Sequence, residues 1–144
     1  MGLNFRGNEI LFIDTAPVVY YIENHPQFSS KMDALIDAVS DFHQQWITSF
    51  VTYVEVLTLP RKMKNQSMEQ LYAQLLTRTG FLKIIQTNPA IMNQCVHFRA
   101  EYGFKTPDAI QLATAQVFGA DIVITNDQAW KKITELRVVT LDEL

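Results

Sequence analysis

The chain has 144 residues, 48% of them apolar, and a formal charge of −3. That is enough for one folded domain with a real core, and it excludes a disordered chain and a strongly basic nucleic-acid binder. Its apolar runs are too short to span a membrane, and the single Cys95 excludes an internal disulfide and argues against structural zinc.

Residues 1–8 are polar and glycine-containing, which predicts a short leader or frayed start to a single domain spanning 1–144. No basic stretch followed by an apolar one opens the chain, so the expectation is a cytoplasmic protein. Residues 9–14 predict a buried strand and 15–23 a helix, with Pro17 tolerated in its first turn. Phe28, Met32, Leu35, Ile36, Val39 and Phe42 recur at helical spacing and predict a helix over 28–44. A second strand is expected at 46–48, then a helix over 50–64 bent or broken near Pro60. Ser67-Met-Glu-Gln has capping-box form and predicts a helix that Gly80 ends. Residues 81–86 predict a third strand. Asn88-Pro89 and Thr106-Pro107 open two further helices, ending at Gly103 and Gly119. Residues 121–125 predict a fourth strand, 127–132 a short helix and 137–141 a last strand. Strands alternating with helices predict an α/β domain: a mostly parallel central sheet flanked by helices on both faces.

Four carboxylates punctuate this pattern. Asp14 closes Ile-Leu-Phe-Ile-Asp, Asp108 follows Lys-Thr-Pro at a helix start, and Asp127 closes Ile-Val-Ile-Thr-Asn-Asp. In a parallel sheet the carboxyl ends of the strands share one edge, so acids distant in sequence can meet there. Each has a plain reading as well. Asp14 and Asp127 suit helix caps, and Asp108 suits a helix's first turn. Glu55 lies inside a helix on a row with Val51 and Leu59, which predicts a carboxylate leaning on an apolar face, costly unless paired. Clustered acids repel and raise one another's pKa values, and a divalent cation relieves this. Oxygen-only ligands suit Mg²⁺ or Mn²⁺, which can activate a water and stabilise the leaving oxygen in a phosphodiester displacement. His25, His43 and His97 show no ligand spacing. Neither phosphate-loop pattern is present, nor a G-x-S-x-G elbow. Residues 59–83 hold five cations against one acid, a local +4 that leaves −7 elsewhere; the plain reading is a solvated helical face.

Glu101-Tyr-Gly-Phe-Lys-Thr-Pro-Asp-Ala-Ile-Gln-Leu-Ala-Thr-Ala resembles the third motif of the PIN domain family, and of VapC-type toxins within it. Ile-Thr-Asn-Asp-Gln-Ala-Trp (124–130) resembles the fourth, Phe-Ile-Asp-Thr (12–15) the first, and Thr-Tyr-Val-Glu (52–55) the second. The resemblance covers nearly the whole chain. It implies a single PIN-like domain and a hydrolase, a Mg²⁺- or Mn²⁺-dependent endoribonuclease. It also implies Asp14, Glu55, Asp108 and Asp127 as catalytic and metal-binding acids, with Thr125 and Asn126 supporting them. A cognate antitoxin and a homodimer are the implied partners, besides RNA. Ala16-Pro17 departs from the small polar residue frequent in the family. Ala16 also counts against an aspartyl-phosphate phosphatase, which needs an acid two residues after its nucleophile. A PIN-type nuclease without antitoxin and a non-catalytic PIN-like interaction module stay open.

Overall fold

Short runs rich in Ile, Val and Leu make five strands, and the helical sequence between them makes the crossovers of a parallel sheet. The computed structural model describes residues 3–78, 80 and 82–144. Strand β1 (Ile10–Ile13) leads to α1 (Thr15–Ile22) and α2 (Ser29–Asp41), and β2 (Gln45–Ser49) to α3 (Phe50–Lys62) and α4 (Gln66–Thr77). Strand β3 (Leu82–Ile85) leads to α5 (Pro89–Tyr102) and α6 (Thr106–Val117), and β4 (Ile122–Thr125) to a 3-10 turn, Gln128–Lys132. Strand β5 (Val138–Thr140) runs into a second 3-10 turn, Leu141–Glu143, which the sequence did not predict. The order of the remaining elements is the one expected.

The sheet order is β3-β2-β1-β4-β5, and every pairing is parallel. The chain winds outward from β1 to β3, then returns to place β4 on the other side of β1. The carboxyl ends of β1 and β4 therefore flank the point where the winding reverses, the usual place for a site in such sheets. Alternate residues of β1 serve opposite faces. Leu11 and Ile13 pack with Val18, Met32 and Leu35 of the first two helices, and Phe12 packs with Phe98 of α5 and Leu112 of α6. Phe12 is fully buried, and that burial contributes about 1.5–3 kcal/mol.

Several boundaries differ from expectation. Leu3 and Phe5 pack on the core, with the Phe5 ring 5.4 Å from that of Phe42, so the leader is docked on the domain where the sequence suggested fraying. The helix over 28–44 stops at Asp41. Helix α3 runs through Pro60, which is buried near its end, without stopping there. Helix α4 starts earlier than Ser67: Asn65 is the cap and accepts from the Met68 amide at 3.1 Å, while Glu69 turns aside to Arg61 at 2.7 Å. At α6 the Thr106 hydroxyl is engaged by Arg99, and Lys105 takes the cap position with no side-chain bond. Phe81 of the expected third strand lies outside the described residues.

Candidate active site

The four acids come from four separate segments and line one open cleft, together with Tyr20 and Asn126. Asp14 follows the last residue of β1 and caps α1, its Oδ1 accepting from the Thr15 amide at 2.7 Å. Asp127 lies two residues past β4 and caps the 3-10 turn, accepting from the Ala129 amide at 2.9 Å. Asp108 stands in the first turn of α6, and Glu55 projects from α3. The plain capping readings of Asp14 and Asp127 and their place in the cleft are thus both true.

Asp14 is the best-held acid. Thr125 donates to its Oδ2 at 2.7 Å, and the Gln111 side-chain amide donates to its Oδ1 at 3.2 Å. Burial nevertheless raises its pKa from 3.8 to about 6, overcoming these hydrogen bonds, and the charges of Asp108 and Glu55 push the same way. Asp108 is also raised, by burial first and then by Asp127 and Glu55; Lys105 and the Trp130 indole N–H pull it back. Trp130 is fully buried, and its Nε1 falls short of hydrogen-bond geometry with any partner among the described residues. Thr125 links two acids: besides donating to Asp14, its hydroxyl accepts from the Asp127 amide at 3.0 Å. Asn126 donates to the Tyr20 hydroxyl at 3.1 Å.

Glu55 corrects the sequence reading. Helix α3 buries Val51, Thr52, Val56 and Leu57 and turns residues 53–55 to solvent, so Glu55 is exposed and its charge carries no burial cost. Its place in the site rests on the cleft it lines and on its charge at Asp14 and Asp108. Among the described residues none of the four acids has an ion-pair partner, and no three carboxylate, imidazole or thiol groups form a ready ligand cage. Oxygen donors that do not close a full cage match Mg²⁺, which keeps several waters and takes one or two carboxylates. The sequence reading passed over Gln111. A lone amide in the buried run 111–115 of α6, among Leu112, Ala113, Thr114 and Ala115, was the available signal.

A PIN domain family model matches residues 11–136. The chain belongs to the PIN domain family. Among solved structures, this PIN domain is similar to VapBC2 from Rickettsia felis bound to a promoter DNA fragment, at a TM-score of 0.75 and 18% identity, covering 91% of this chain and 98% of that one. A toxin-antitoxin complex from Klebsiella pneumoniae matches at 0.66 and 25% identity, covering 91% and 97%. VapC20 from Mycobacterium tuberculosis, a Sarcin-Ricin loop cleaving toxin, matches at 0.66 and 14%, covering 88% and 98%. No curated protein sequence matches it.

Beside the acid cleft this PIN domain has an apolar groove between α1, α3 and α4, lined by Val19, Ile22, Leu59, Met68 and Tyr72, with Glu55 shared by both. Among the described residues no helix is long and apolar enough to cross a membrane. The sequence also suggests the Leu71-Leu75-Leu76 side of α4 as a homodimer face, with core packing as its plain reading; Leu76 is core, whereas Leu71 is exposed.

Proposed function

We propose that this PIN domain is an endoribonuclease that hydrolyses RNA phosphodiester bonds with Mg²⁺ or Mn²⁺, and that it is the toxin of a toxin-antitoxin pair. The observation that carries this reading is the convergence of Asp14, Glu55, Asp108 and Asp127 on one cleft where, among the described residues, none of them has an ion-pair partner. These four would hold the cation, one or two of them directly and the others through its waters. When bound it supplies Lewis-acid stabilisation of the phosphoryl charge and activates a water. Thr125 and Gln111 hold the Asp14 carboxylate in place, and Thr125 also anchors the Asp127 backbone. Asn126 and Tyr20 brace the cleft wall. The openness of the cleft suits a polymer substrate, since a strand can lie across it.

The test uses purified protein on total RNA with Mn²⁺, Mg²⁺ or a chelator. Wild type cleaves only with metal, and Asp108→Asn does so about 100-fold more slowly or worse. No metal-stimulated cleavage, or a fully active Asp108→Asn, rejects the catalytic assignment.

The proposed antitoxin fits the same site. A partner arginine would pair with the carboxylates through charge-assisted bidentate bonds, and an apolar helix beside it would lie in the groove bordered by Glu55. Expression alone should arrest growth, Asp14→Asn should not, and co-expression with the neighbouring gene should restore it. Harmless expression of wild type would favour a PIN-type nuclease without antitoxin. A homodimer is proposed through exposed apolar residues of α3 and α4, Val54, Leu59, Met63 and Leu71. A monomer in sedimentation at roughly tens of micromolar would remove that claim.

A further inference from the structure

We infer that Gln111 is a positioning residue of this site: its buried side-chain amide sets Asp14 against the two helices that carry Glu55 and Asp108. The inference rests on the reading of the four acids as a metal-holding centre. Gln111 is 2% exposed and reaches the cleft only through Asp14 and Thr15. Its Nε2 stands 3.2 Å from Asp14 Oδ1, 3.2 Å from Thr15 Oγ1 and 3.0 Å from Thr52 Oγ1. Its Oε1 accepts from the Ser49 hydroxyl.

The network itself fixes which way the amide points. Ser49 Oγ already accepts from the Val51 amide at 3.1 Å, so its one proton is free to go to Gln111 Oε1. The Asp14 carboxylate only accepts, so Nε2 must face it. The hydroxyls beyond are ordered in turn. Thr48 Oγ1 lies 2.7 Å from the Ile13 carbonyl, which can take only a donor, and 2.7 Å from Thr52 Oγ1. With the Thr48 proton on that carbonyl, Thr52 donates to Thr48, which leaves Thr52 to accept from Gln111 and from Thr15 at 3.0 Å.

The connectivity makes this more than a satisfied buried amide. Thr52 is one helical turn before Glu55 on α3, and Gln111 is one turn after Asp108 on α6. One side chain therefore joins the ends of β1 and β2 to both helices. Thr125 joins Asp14 to Asp127 from the other side. Between them, Gln111 and Thr125 tie all four acid-bearing segments to a single carboxylate.

Gln111→Met keeps the length and apolar contacts and removes both polar ends. The test compares Mn²⁺ affinity by titration calorimetry, kcat and KM on RNA, and thermal melting, with Gln116→Met as the control. Gln116 sits on the same helix and bonds Gln94, away from the cleft. Removing a group that orients a ligand typically weakens metal binding about 10- to 100-fold, and that loss is expected for Gln111→Met. The same substitution should lower kcat with KM for RNA unchanged, because the amide cannot reach a strand in the cleft. Gln116→Met should match wild type. If Gln111→Met melts lower yet binds Mn²⁺ within about twofold of wild type, Gln111 only packs and the inference is overturned. Should Gln111→Met not fold, Thr52→Val deletes one link and must still weaken Mn²⁺ binding; unchanged affinity there also overturns it. A wild type that takes up no Mn²⁺ rejects the metal-centre reading and this inference with it, whereas Mn²⁺ binding equal in wild type and both variants rejects this inference alone.

Discussion

Glu135 and Asp14 both accept hydrogen bonds from the chain, yet their ionisation is pushed in opposite directions. Glu135 accepts from the Tyr102 hydroxyl at 2.6 Å and pairs with His97 Nε2 at 2.8 Å. Those bonds hold its pKa down to about 2, the Tyr102 bond contributing most. Asp14 is raised to about 6 by burial and by the acids facing it. The difference teaches how to read acids in this fold. One whose charge is held by the chain's own hydrogen bonds is complete as structure. A group of acids with no ion-pair partner among the described residues keeps its mutual repulsion, which is the pattern expected of a functional site.

Charge removal should separate the two regions most strongly in activity. Asp14→Asn and Asp108→Asn should lower metal-stimulated RNA cleavage by about 100-fold or more, while Glu135→Gln should stay within about twofold of wild type. Comparable losses at all three positions, each in folded protein, would end the distinction between a reactive and a structural acid.

Stability should separate them next. The Asp14 pKa is raised in the folded state, so between pH 3.8 and about 6 the native protein binds more protons than the unfolded chain. Stability is then lost as pH rises through that window, reaching roughly 3 kcal/mol above it in metal-free protein. Asp14→Asn removes that cost. Its melting temperature should match wild type near pH 4 and exceed it by several degrees near pH 7. Excess Mn²⁺ should close the gap by stabilising wild type alone. A gap independent of pH would mean that Asp14 is not strained by ionisation.

Thr125→Val tests how the cluster is braced. It keeps the shape of a fully buried residue and removes one donor to Asp14 and the acceptor of the Asp127 amide. The orphaned groups should cost about 1–3 kcal/mol, and cleavage should fall about 10- to 100-fold. Denaturant melts and single-turnover kinetics check the two parts; wild-type activity would remove Thr125 from its supporting role.

The order of strands and helices was legible because period and punctuation are local signals. Asn88-Pro89 and Gly103 bracket α5 as expected, with Gly103 in the left-handed region. Asn65 was missed as a cap because Ser67, two residues on, offers equally good cap chemistry, and only the formed helix chooses between them. That Asp14 and Asp127 share an edge was legible from strand ends; Glu55, inside a helix, and Asp108, in a helix's first turn, joined them through the family resemblance. The exposure of Glu55 was not legible, because its neighbours Val51 and Leu59 look alike in sequence while only Val51 is buried. The role of Gln111 was not legible, for a different reason. Its partners Asp14, Ser49 and Thr52 lie 59 to 97 positions away, so no window of sequence contains the bond.

The smallest expected effect lies at Glu135, and it has the opposite pH dependence. Its pKa is lowered from 4.5 to about 2, so its contribution is present above pH 4.5 and is lost as pH falls towards 2. Glu135 and His97 are partly exposed, which limits the contribution to less than about 1 kcal/mol. Gln at 135 retains an acceptor for Tyr102, loses the charge and puts an amide NH2 where the second oxygen meets His97. Glu135→Gln should therefore melt slightly below wild type at neutral pH, and the gap should close between about pH 4.5 and pH 2. For Asp14→Asn the gap opens as pH rises and the variant is the more stable protein. For Glu135→Gln the gap also opens as pH rises, but the variant is the less stable one. Gaps of the same sign would show that the two acids stand in the same electrostatic state, and the contrast between them would fail.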